Sequence, residues 1–246
     1  MLSVFVGLSA YGQSDTYFAL PPLYEWEAGQ HAIDLNISTT AQTASVWIYN
    51  SDTSYSNTIT VTSGALSTVT LSGIVGTMQS TYGARELNWT NQKRYKDALF
   101  VEATKPVTVT QRVRHQYNQE IITAKGTNGI GLEFYIASQT EIESTVTGPS
   151  MSYEGMHYVS IVALEDSTDV RIKARPGNVF DNGRDSVIFT LDAGQSWVST
   201  MEDNDVLLGT HVTSTKPIAV TAGGNHLKAS GANNADAGID QVTPIE

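Results

Sequence analysis

The side chains with the widest chemical reach in this chain are its five histidines, His31, His115, His157, His211 and His226. No two of them stand two or four residues apart on one strand or helix face, the spacing that would place an imidazole pair on one metal ion. His31 and His157 fall at matching places in a repeated pattern and read as strand-edge residues. The carboxylates gather at Glu202-Asp203-Asn204-Asp205, and Asp203 and Asp205 could offer hard oxygen ligands to calcium. The plainer reading is a solvated turn, so calcium is the one cofactor candidate and no cofactor is otherwise expected. There is no GxSxG, HExxH, Walker loop or EF-hand spacing. Paired carboxylates for glycoside hydrolysis have only a spatial signature, and nothing in the sequence selects a pair. Catalytic residues are therefore expected to be none.

Other residues suit binding. Arg112, Arg114 and His115 join Lys93, Arg94 and Lys96 as the one basic concentration, either a solvated sheet face or a site for an anionic glycan or protein epitope. Tyr82, Trp89 and Tyr95 fall in an irregular stretch, where loop aromatics bind sugars or proteins or else plug the end of a sandwich. Gly223-Gly224-Asn225-His226 has the composition of a loop. The ligand-binding candidates are Tyr82, Trp89, Arg112, Arg114, Asn225 and His226.

The elements that must position these residues read as strands. Ile33, Leu35 and Ile37 alternate onto one face. Ala44–Tyr49, Thr58–Val61, Ser67–Leu71 and Ala98–Ala103 follow, with turn chemistry at Asn50-Ser51-Asp52 and Ser63-Gly64. Residues 72–97 are less regular, and Thr81–Asp97 is the one place for a short helix. After Gly126–Gly131 the programme repeats, with segments near 132–137, 157–163, 169–173, 186–191, 195–200 and 207–213. Thr104-Lys105-Pro106 and Thr215-Lys216-Pro217 close the two copies. A proline donates no backbone hydrogen bond, so each is expected at the first position of a strand, at the hinge between connection and core. The prediction is an all-β protein of two tandem, duplicated β-sandwich-like halves with almost no helix. Residues 13–126 form the first half and 127–246 the second, with 1–12 as the remnant of a signal peptide.

Composition narrows the partners. The net charge is −11, from 25 acidic and 14 basic residues, which disfavours nucleic acid and anionic membranes. There is no cysteine, so neither disulfides nor thiolate metal sites are available. No apolar run approaches the ~20 residues that span a bilayer, so no transmembrane segment is expected.

The second half carries a resemblance. Ala163-Leu164-Glu165-Asp166-Ser167-Thr168-Asp169-Val170-Arg171-Ile172, Leu191-Asp192-Ala193-Gly194-Gln195-Ser196, Thr213–Val220 and Asp240-Gln241-Val242-Thr243-Pro244 resemble, in order and spacing, segments of the IgGFc-binding protein N-terminal domain family. The match is good over roughly 130–246 and weaker over 16–125. Many members of that family lie near the start of long exported proteins in Bacteroidota and related bacteria, often adhesin-like. The resemblance implies a secreted, non-enzymatic recognition or adhesion module on the outer surface of a Gram-negative bacterium. Its partners would be a host or neighbouring-cell glycoprotein or polysaccharide, and further domains of the same chain. A spacer or cap of a large surface filament is the alternative, and a carbohydrate-active enzyme is the third reading. The family supplies no site residues to carry over.

Overall fold

The computed structural model describes residues 14–25, 32–40, 42–71, 77–79, 97–114, 119–138, 141–142, 146–148, 151–153, 156–180, 183–202, 207–228 and 236–245. The first half holds β1 (Asp15–Leu20), β2 (Leu23–Glu25), β3 (Ala32–Ser38), β4 (Ala44–Asn50), β5 (Ser56–Val61), β6 (Leu66–Leu71), β7 (Thr77–Gln79), β8 (Leu99–Arg114) and β9 (Glu120–Thr123). The second holds β10 (Ile130–Tyr135), β11 (Glu141–Ile142), β12 (Val146–Gly148), β13 (Met151–Tyr153), β14 (Met156–Ala163), β15 (Thr168–Lys173), β16 (Ser186–Leu191), β17 (Ser196–Glu202), β18 (His211–Lys228) and β19 (Asp236–Gln241). Between them, Gly126–Gly129 form a 3-10 turn. Small satellites pair β2 with β7 in parallel and β12 with β13 antiparallel. The protein is all-β, as the alternation predicts.

Each half is built on one long strand. The 16-residue β8 takes β1 and β4 beside its first arm, then β3 and β9 beside its second. The 18-residue β18 does the same with β10 and β15, then β14 and β19. Each half therefore has a first layer (β5-β4-β8-β1 or β16-β15-β18-β10) and a second layer (β6-β3-β8-β9 or β17-β14-β18-β19). Alternating residues from both layers meet in one core. In the first half these include Phe18, Ile33, Leu35, Ile37, Val46, Ile48, Val101 and Val109. In the second they include Phe134, Val159, Ile161, Val170, Ile172, Phe189 and Val220. Each such side chain contributes about 1.5–3 kcal/mol on full burial, which sets the strand register.

The Thr-Lys-Pro corners do not open strands, as their prolines lead one to expect. They sit in the middle of β8 and β18, where the strand passes from one layer to the other. Thr16 alone stands against residues 103–106, and Leu132 alone against residues 214–217. This bulge leaves the corner outside the ladder, so the missing proline N–H costs no bond. Side chains replace the lost ladder in the same way twice. Thr104 Oγ1 accepts from Ser45 N at 3.0 Å, and Thr215 Oγ1 accepts from Asp169 N at 3.0 Å. The prolyl carbonyls accept too, Pro106 from Thr39 Oγ1 at 3.1 Å and Pro217 from Leu164 N at 3.1 Å. The following turns also match, with Gly64 and Gly194 both at φ 76°.

The halves pack head to tail. The outer side of the first layer of the first half carries Tyr17, Ala19, Tyr49 and Phe100. These meet Val162 and Ala219 from the outer side of the second layer of the second half, with Ile130 and Leu164 at the rim. Gln241 stitches this joint. Its Nε2 donates to Ala19 O at 2.9 Å, and its Oε1 accepts from Lys125 N at 2.7 Å. Asp240 beside it binds Lys125 Nζ at 2.8 Å. Asp15 Oδ2 accepts from Thr127 N at 2.7 Å and from Thr127 Oγ1 at 2.5 Å. Burial raises the Asp15 pKa, but these hydrogen bonds outweigh it and hold the carboxyl below its ordinary value. Residues 126–131 thus form a clamped turn between the two halves.

Candidate functional site

The sequence candidates separate in space. Arg112 and Arg114 lie on the outer side of the second layer of the first half. Cross-strand register sets Thr70, Asp34, Arg112 and Ile121 in one row, and Thr68, Asn36, Thr110 and Thr123 in the next. Arg114 Nε reaches Asp34 Oδ2 at 2.6 Å, and Thr70 Oγ1 donates to Asp34 Oδ1 at 2.7 Å. Arg112 donates to Gln119 Oε1 at 3.0 Å. The face is mostly hydrophilic, with the Asp34 carboxylate paired to Arg114, Arg112 held by Gln119, and Ile121 exposed at its edge. Asn225 and His226 lie within β18, on the long strand rather than on a loop as their glycine-rich context leads one to expect. The glycines serve the sheet: a Cβ on Gly223 would stand 2.1 Å from Gly238 O, because β19 runs close there. Tyr82, Trp89, Asp203 and Asp205 lie outside the described residues, as do His31 and residues 1–12.

His157 is not the counterpart of His31. It pairs with Met201 and Gly224, as Ile33 pairs with Leu71 and Val113, so it holds a core apolar place. It is fully buried, and neither ring nitrogen has a hydrogen-bond partner among the described residues. Burial pushes its pKa down to about 4, so the ring is neutral near pH 7. Among the described residues no three His, Asp or Glu side chains come together as a metal site.

The segments quoted for the family resemblance converge on the joint. Thr168 Oγ1 donates to Glu165 O at 2.7 Å, Ser167 N to Asp192 Oδ1 at 3.1 Å, and Ala193 N to Asp166 Oδ1 at 3.0 Å. Lys216 Nζ donates to Asp166 O at 2.6 Å, locking the turn before β15 to the corner of β18. Ser51 of the first half donates to Gly194 O at 3.0 Å, and a Cβ on Gly194 would strike the Ser51 Cβ at 2.2 Å. These segments hold turns, corner and joint together, which explains why their order and spacing stand out.

One group escaped the sequence reading. On the outer side of the first layer of the first half, four rings form a ladder. Trp47 stacks on Tyr49 at 3.9 Å, Tyr49 on Phe100 at 5.5 Å, and Phe100 on Tyr17 at 6.4 Å. Tyr49 Oη donates to Glu102 Oε1 at 2.5 Å. Burial and then this carboxylate raise the Tyr49 pKa, and burial with Glu102 pushes Tyr17 up to about 12. The available signal was Trp47 and Tyr49 two residues apart on the face opposite Val46 and Ile48.

The arrangement is that of two packed sandwiches whose open faces mix polar side chains with single exposed apolar ones such as Ile121 and Ile188. The family described as IgGFc binding protein matches residues 122–246, half of the chain, and the chain belongs to it. That family is one of binding proteins rather than enzymes and is typically extracellular. No curated protein and no solved structure gave a match. Among the described residues, no helix is long and apolar enough to cross a membrane.

Proposed function

We propose that this chain is an exported recognition module that serves adhesion on the outer surface of a Gram-negative cell, as part of a longer protein. It binds a glycoprotein, polysaccharide or other surface ligand and performs no catalysis. Family membership supports a binding role. The observation that carries the reading is the open face of Asn36, Thr68, Thr70, Thr110, Arg112 and Arg114 on the first half, laid over the buried Asp34. Its register counterpart in the second half, Tyr158, Ser160, Thr221 and Gly223, is buried. A flat, hydrogen-bonding sheet face left free by a rigid scaffold suits a macromolecular ligand. The purified chain is expected to retain ligands on combined glycan and protein arrays. Arrays of both classes without a single saturable ligand would overturn the reading.

A spacer or assembly role has one observation in its favour, the head-to-tail joint, because such interfaces extend into open chains. The faces that would continue the chain are Asp34, Arg112 and Arg114 at one end and Arg171, Lys173, Glu133 and His211 at the other. Both are charged, whereas the core of the joint, Ala19, Phe100, Val162 and Ala219, is apolar. Light scattering that shows concentration-dependent chains of the purified protein, with empty arrays, would favour that role.

A further inference from the structure

We infer that the Trp47 end of the aromatic ladder is a binding site for a neutral pyranose unit of a glycan. The inference rests on the recognition reading and supplies its ligand class and its place. Trp47 is the terminal ring. Tyr49 covers one of its faces, and the indole is 38% exposed. Its orientation is fixed twice, by the stack on Tyr49 and by Nε1 donating to Ser56 Oγ at 2.8 Å. The stack runs on through Phe100 into the joint between the halves, so the ring is braced by packed protein. Tyr135 of the second half is also exposed, at 53%, and stacks on His211 at 4.4 Å, but His211 is held by Glu133 at 2.8 Å rather than by a run of rings leading into the joint.

The surface on the free side of Trp47 is made of small hydroxyls. Ser45 precedes it on the same face of β4, Thr60 stands opposite Ser45 on β5, and Thr104 Oγ1 accepts from Ser45 N. All three are exposed. Glu102 stands opposite Trp47 on β8, with Oε1 held by Tyr49 Oη. The axial C–H groups of a pyranose pack against an aromatic face, while its equatorial hydroxyls reach hydroxyl and carboxylate partners at the edge. A carboxylate as the charged neighbour favours a neutral sugar over a uronic or sialic acid. The matching place in the second half is Arg171, flanked by Asp169 and Thr190, which bond to each other at 2.7 Å. The second half therefore has no ring at this place, and Arg171 serves as an internal control.

The test uses the whole chain against a mannan, a β-glucan, a xylan, a galactan and polygalacturonate, by affinity electrophoresis and titration calorimetry, beside a protein array. Wild-type protein is expected to bind at least one neutral polysaccharide. Trp47→Ala should weaken that binding about tenfold or more, the size of one lost stacking contact. Trp47→Tyr should retain most of it, and Arg171→Ala all of it. Thermal melts check that each variant folds. Binding that survives Trp47→Ala, or retention of polygalacturonate alone, would overturn this site while leaving the recognition reading intact. A protein ligand with no sugar bound would do the same. No ligand of either class would overturn both.

Discussion

The second layer occurs twice, and its outer side meets opposite fates. In the first half it presents Asp34, Asn36, Thr68, Thr70, Thr110 and Arg112. At the register-matched places the second half has Tyr158, Ser160, Val198, Thr200, Thr221 and Gly223. The first set is exposed or half-buried apart from Asp34, which lies beneath Arg114, whereas the second set is buried throughout. The first-layer faces reverse the pattern: Tyr17, Tyr49 and Phe100 are packed in the joint, while Glu133, Lys173 and His211 stand at their places in the second half. One pairing scheme thus yields a docking face or a free face according to side-chain size and charge. Core-facing residues specify the sandwich, and outward residues specify what it touches.

The strongest way to break this comparison is to exchange a residue between the matched faces. Gly223 and Arg112 are counterparts on the long strands. Gly223→Ala places a Cβ 2.1 Å from Gly238 O and 2.7 Å from Ile239 Cα, both backbone atoms that cannot turn aside. We expect a loss of about 3–5 kcal/mol, or failure to fold. Arg112→Ala, on the open face, should change stability by less than about 0.5 kcal/mol. Urea unfolding of the two variants checks the contrast. Similar losses at both positions would mean that the two faces are equally packed.

How much of this was readable beforehand depended on period and partner. Ile33-Leu35-Ile37 and Val170-Ile172 announce their strands because a period of two is local. The bulges at Pro106 and Pro217 involve the register of β1 and β10, which no local pattern carries. The proline rule for strand starts therefore points to what is the middle of a strand. Gly223 and Gly224 read as a loop because local chemistry cannot show that β19 runs against them. Trp47 and Tyr49 were visible as alternation, but the same pattern serves a buried face, and only the packing of the halves leaves Trp47 at the rim. The Arg112/Arg114 face was found because charge marks an outward position directly.

His157 and Ile33 offer a second contrast, between a histidine and an aliphatic residue at one core place. The His157 pKa is pushed down to about 4, against 6.5 for a free imidazole. Between those values the unfolded chain binds more protons than the folded one, so stability falls as pH drops from about 6.5 to 4 and flattens below. The slope contributed by this ring is at most about 1.4 kcal/mol per pH unit, and its total about 3 kcal/mol. Carboxylates titrate in the same range, so the readout is a difference. His157→Ile should unfold at lower pH than the wild type, with equal or greater stability near neutrality. Superimposable acid-unfolding curves would show that the ring is not desolvated in the fold.

The smallest effect tests whether the open face is held by its ion pair. Asp34 is nearly buried beneath Arg114, whose side chain is 44% exposed. Its counterpart Tyr158 carries no charge, so the second half needs no such pair. Asp34→Asn removes the charge and keeps an acceptor for Thr70. The expected cost is about 0.5–1 kcal/mol at low salt, because one partner is solvated and water screens the attraction. The difference from wild type should shrink as salt rises, since the Debye length falls to about 3 Å at 1 M. Asp34→Ala should cost slightly more, because it also removes the hydrogen bond from the Thr70 hydroxyl and empties the space beneath Arg114. An Asp34→Asn variant as stable as the wild type at every salt concentration, with a loss in Asp34→Ala alone, would assign the role of Asp34 to its hydrogen bond, leaving Arg112 and Arg114 as guanidinium groups free to meet an acidic ligand.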